Sequence, residues 1–89
     1  MADIRLCVIG RNTNEFSIQI KSIRQIQGIK VQKRRNKPFY DVSGNIGPAD
    51  IEIMTAALAR LLTDCGAELE IADKELEQKI IGLVEPYIQ

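Results

Sequence analysis

Apolar side chains recur at steps of three and four between Pro48 and Gly66. Ile51, Met54, Leu58, Leu61, Leu62 and Cys65 share one face of a predicted helix, with Ala49, Ala56, Ala57 and Ala59 as helix formers between them. Pro48 suits the first helical position, where its missing N–H costs nothing. Gly47 is then the N-cap, and Asp50 opposes the positive end of the dipole. Ile46 and Ile51 fall at the two positions of a hydrophobic staple. Gly66 supplies the stop. A helix of about 18 residues would run about 27 Å. So long an apolar face needs a bed, and the flanking sequence predicts a sheet.

Ile4–Ile9 alternates Ile4, Leu6 and Val8 against Arg5, Cys7 and Ile9, the period of a strand. Residues 10–14 read as a turn. Residues 15–27 admit two readings. Phe16, Ile18 and Ile20 alternate as in a strand, while Phe16, Ile20, Ile23 and Ile26 form a helical stripe capped by Thr13 or Asn14. The alternation breaks at Ser22 and Ile23, which favours the helix. Residues 29–35 read as a strand, 36–38 as a turn and 39–43 as its hairpin partner. Residues 44–47 then lead into the long helix. Ala67–Ala72 reads as a strand, and Asp73 caps a final amphipathic helix that Pro86 ends or kinks.

The order is β-α-β-β-α-β followed by a helix. It implies an α+β fold, a ferredoxin-like βαββαβ sandwich with two helices on one face of a four-stranded antiparallel sheet. The stretch IRQIQGIKVQKRR resembles the helix-glycine-strand cadence of ferredoxin-like domains, which bears on fold and not on function. The alternative, with residues 15–27 as a strand, is an antiparallel meander followed by two helices. Residues 1–72 form the core domain. Residues 73–89 form a helix packed on that core or on a partner.

The chain has 89 residues and no net charge, but the signs are separated. Residues 1–47 hold nine Lys and Arg against three Asp and Glu, for +6. Residues 48–89 hold three against nine, for −6. Such asymmetry points to partners or to internal neutralisation. No apolar run is long enough to cross a bilayer, and the N-terminus lacks a signal-peptide pattern. These features predict a cytoplasmic protein without a membrane association.

The basic hairpin carries Lys30, Lys33, Arg34, Arg35 and Lys37, followed by Phe39. Cations beside an aromatic suit a single-stranded nucleic acid or an acidic protein surface. The plain alternative is a solvated edge whose charges discourage strand addition. The second candidate is apolar. Leu76, Ile80, Leu83, Val84, Tyr87 and Ile88 on the last helix need cover, from the same domain or from another chain.

Catalysis has little to stand on. Histidine is absent, Cys7 and Cys65 have no adjacent base, and no carboxylate cluster has metal-ligand spacing. GNIG at 44–47 precedes a helix, but Asp50 and Glu52 would repel a phosphate there, so capping is the better reading. Arg11 offers only a generic anion contact. The expectation is a non-catalytic interaction or regulatory module without a cofactor that self-associates as a homo-oligomer or meets another protein. The alternative is a single-stranded nucleic-acid-binding protein using residues 30–40.

Overall fold

The computed structural model describes residues 2–11, 13–71 and 73–88. The elements are β1 (Ala2–Ile9), α1 (Asn14–Arg24), β2 (Ile29–Lys33), β3 (Phe39–Ile46), α2 (Pro48–Thr63), β4 (Glu68–Glu70) and α3 (Lys74–Ile88). The strands form one four-stranded antiparallel sheet in the order β2-β3-β1-β4. This is a small α+β fold with three helices.

Residues 15–27 are not a strand, so the meander is excluded. Thr13 caps α1 by accepting the Phe16 N–H at 3.2 Å. Phe16, Ile20 and Ile23 are buried on the helical stripe, whereas Ile18 is 54% exposed. A strand with the Phe16–Ile20 alternation would have buried Ile18 with its neighbours, and the helical period turns it to water. The helix is shorter than expected, ending at Arg24.

β3 is longer than expected. The sequence reads residues 44–46 as a lead-in to α2, but β3 pairs with β1 as far as Ala2↔Ile46. Gly44 (φ +137°) and Gly28 (φ +88°) make this extension possible. The Asn45 N–H donates to the Gly28 carbonyl at 3.2 Å, and a Cβ on Gly44 would lie 1.9 Å from that same oxygen. Only a residue without a Cβ permits the approach.

β2 and β4 are shorter than read. β2 ends at Lys33, where the turn passes through Asn36 at φ +60°. β4 keeps only Glu68–Glu70, and the expected end at residue 72 lies outside the described residues.

α2 starts on its sequence signals, with Gly47 as N-cap and Pro48 in the first turn, but it ends at Thr63, short of the expected run to Cys65, and Gly66 beyond it takes φ +62°. Its burial is wider than the predicted stripe, because Thr55, Ala57 and Ala59 are buried beside Met54, Leu58 and Leu61. The cause is packing on three sides. α2 lies between α1 and α3, and its core residues join Ile4, Leu6, Val8, Tyr40 and Val42 of the sheet in one cluster. The small residues let the neighbouring helices approach.

α3 is the departure from a two-helix cover. The Asp73 carboxylate caps it, accepting the Glu75 N–H at 2.8 Å. It packs against α2 and so joins the helical layer. Pro86 neither ends nor precedes the end of the helix by a full turn, since α3 continues to Ile88. Pro86 has no N–H to donate to the Gly82 carbonyl, so the last turn of α3 lacks one helical hydrogen bond.

Candidate functional site: the open sheet face

Strand alternation and register fix what the sheet presents away from the helices. One cross-strand row reads Gln32, Asp41, Cys7, Glu70. The next reads Lys30, Ser43, Arg5. A third reads Phe39, Ile9, Glu68. Arg34 extends the third row beyond β2, its N–H donating to the Phe39 carbonyl at 2.9 Å. The basic hairpin therefore lies at one edge of the sheet and the acidic β4 at the other. The outer strands are three spacings apart, about 14 Å.

A cleft of about 720 Å³ runs across this face, with Arg5, Cys7, Arg34, Asp41, Glu70 and Glu77 among its lining. The Arg34–Asp41 pair is part of that lining. Arg34 Nε donates to Asp41 Oδ2 at 2.9 Å and Nη2 donates to Oδ1 at 3.0 Å. Both side chains are about half exposed, at 49% and 42%, so the bidentate geometry orients the guanidinium more than it stabilises the fold. The hydrogen bond to Arg34 holds the Asp41 carboxyl below its ordinary range, and the Asp41 hydrogen bond pushes the Arg34 guanidinium further up.

Beneath them lies Cys7, only 6% exposed although it sits on the open face. Burial, then the charge of Asp41, pushes its thiol above the usual range. A neutral thiol donating to a carboxylate is a poor nucleophile. Cys65 is free and half-buried, its thiol raised by burial and then by Glu15.

The predicted hairpin residues divide. Lys30 and Arg34 belong to the open face. Lys33 pairs with Tyr40 on the helical side, and Arg35 and Lys37 lie in the exposed turn. Phe39 does not offer a bare ring. The Arg34 guanidinium carbon lies 5.6 Å and the Lys37 Nζ 5.8 Å from its centroid, so cations occupy the stacking position. The sequence does not join Asp41, Cys7 and Arg5 to the hairpin cations, although they complete the face. The signal was the hairpin register, which sets Arg34 opposite Phe39 and diagonal to Asp41 once the turn is placed.

The predicted apolar face of α3 also divides. Ile80 and Val84 are buried and Leu76 packs against the core. Leu83 and Tyr87 are 45% and 51% exposed, as is Ile81 at 46%. The side chain of Ile88 lies outside the described residues. The expected Glu75–Lys79 ion pair does not form; the only ion pair among the described residues is Arg34–Asp41. Among the same residues, no group of three or more His, Cys, Asp or Glu is placed to hold a metal, and no helix is long and apolar enough to cross a membrane. No known family model matches this chain, and neither a curated protein nor a solved structure matches it.

Proposed function

We propose that this chain is a small non-catalytic interaction or regulatory module that associates with a second copy of itself through the open sheet face. The observation that carries the reading is the separation of charge across an uncovered face. Lys30 and Arg34 mark the β2 edge and Glu68 and Glu70 the β4 edge. The third helix could have covered this face and instead packs on α2. We also read residues 1–72 as a ferredoxin-like βαββαβ unit with α3 added. The order of the elements supports this, and the added helix is the departure.

The charge pattern selects the geometry of association. Two copies stacked face to face by a two-fold axis parallel to the strands bring β2 of one over β4 of the other. Arg34 then meets Glu68, and Phe39 meets Ile9. An axis perpendicular to the strands would set β2 over β2, where like charges repel. The face is small beside the ~800 Å² per partner of a standard interface. The association is therefore transient and concentration-dependent, with charge supplying orientation.

Sedimentation across a salt series tests this, with Lys30→Glu/Arg34→Glu and Glu68→Lys/Glu70→Lys as paired variants. Each variant alone is expected to be monomeric, and their mixture to form a heterodimer. A mixture that stays monomeric while the wild type dimerises would remove the strand-parallel arrangement. A labelled single strand in the same cells decides the alternative. Steeply salt-dependent strand binding, lost in the first variant only, would favour nucleic acid. The cations already seated over Phe39 count against it.

A further inference from the structure

A second concave site lies on the other side of the molecule, between α2 and α3, with a volume of about 390 Å³. Ile4 and Ile46 reach it from the sheet, Met54 and Leu58 from α2, and Leu76 and Leu83 from α3. Its polar groups are few. The Thr55 hydroxyl donates to the Ile51 carbonyl at 2.7 Å, so its polarity is spent within the helix. Lys79 is the one charged residue in the lining. Nine of the twelve acidic residues lie in residues 48–89, the half of the chain that builds both helical walls, yet none lines this groove. Among the described residues, the Lys79 ammonium makes no ion pair.

We propose that the groove binds a small apolar carboxylate, with its tail among the aliphatic side chains and its carboxylate at Lys79. The size is that of ordinary small-molecule pockets, which are apolar with a few polar groups that fix orientation. The single cation selects the sign of the head group, and the absence of acids leaves nothing to repel it. Gly82 gives the means of closing the site. It lies on the α3 wall, and a Cβ built there meets no atom within 4 Å. A larger side chain can therefore enter without displacing the fold.

The test titrates the isotope-labelled full chain with decanoate below its micelle concentration, with decanol and acetate in parallel, and follows amide and methyl resonances. Decanoate is expected to bind saturably at one site, moving Ile4, Ile46, Met54 and Leu83. It should bind about threefold to fivefold tighter than decanol, the size of one exposed ion pair, with acetate giving no saturation. Lys79→Gln should equalise decanoate and decanol. Gly82→Leu should abolish both with the fold intact. Leu83→Glu, at an exposed position, should reverse the preference even if Gly82→Leu fails to fold. Absence of saturable decanoate binding would overturn the proposal, as would binding that survives Gly82→Leu in a folded protein. Equal affinity for decanol in the wild type would overturn the carboxylate assignment. Groove shifts produced by protein concentration alone would give the site to a second copy and overturn it as well.

Discussion

Glycine-to-alanine substitution at two positions should give opposite signs, and the structure supplies both magnitudes. At Gly44 the backbone φ is +137°, a region that costs a residue with a side chain about 1–3 kcal/mol. The added Cβ would lie 1.9 Å from the Gly28 oxygen and 3.1 Å from the Ile29 Cα. Both neighbours are backbone, so β2 must move away from β3. That movement strains the 3.2 Å bond from Asn45 to Gly28, worth about 1 kcal/mol. The expected loss for Gly44→Ala is about 2–4 kcal/mol, from a total of about 5–13 kcal/mol for a domain of this size. At Gly82 the helical conformation suits alanine and no atom lies within 4 Å of the new methyl. Gly82→Ala should gain about 0.5–1 kcal/mol from helix propensity. Urea unfolding followed by circular dichroism measures both. With a slope of about 1–1.5 kcal/mol/M, the midpoint should fall by about 1.3–4 M for Gly44→Ala and rise by about 0.3–1 M for Gly82→Ala. The close approach of β2 to β3 is refuted if Gly44→Ala unfolds within 0.5 M of the wild type.

The remaining expectations concern α3 and titration. Ile80→Ala should cost about 2–4 kcal/mol in the same urea assay, because Ile80 is 5% exposed in the core. Leu83→Ala should change stability by less than about 0.5 kcal/mol. Equal effects would mean that α3 is not seated through Ile80. Asp41 has a depressed folded-state pKa, so its contribution is present above the ordinary carboxylate range and is lost as pH falls through the folded value. Asp41→Asn should flatten part of the acid limb of a stability–pH curve, and an unchanged limb would deny the Arg34 pairing in solution. Cys7 has a raised folded-state pKa, so its contribution is complete below the ordinary thiol range and is lost as pH rises through the folded value. Cys7→Ala should reduce the alkaline loss of stability measured by thermal melts, and an equally steep loss would mean that the thiol is hydrated.

The candidate face was legible only in part. Strand alternation over residues 29–35 sets Lys30, Gln32 and Arg34 on one side, and the +6 and −6 of the two halves separate the basic hairpin from the acidic remainder. The role of Asp41 was hidden because it depends on register, which local patterning does not set. In sequence Phe39 reads as a stacking platform, because nothing along the chain reveals that Arg34 and Lys37 fold over it.

Local chemistry determined where the helices begin. The Gly47–Pro48 start of α2, the Thr13 cap of α1 and the Asp73 cap of α3 act within one turn of chain, and periodicity assigned each apolar side chain to a face. Tertiary structure decided what those faces meet. Whether α3 covers the open sheet or lies on α2 depends on which surface its Ile80 and Val84 can reach with the better fit, a comparison between distant parts of the chain. The extension of β3 through Gly44 depends likewise on the approach of Gly28, sixteen positions earlier. Hydrophobic burial is non-directional, so an apolar stripe specifies that it will be covered while shape and register choose the cover.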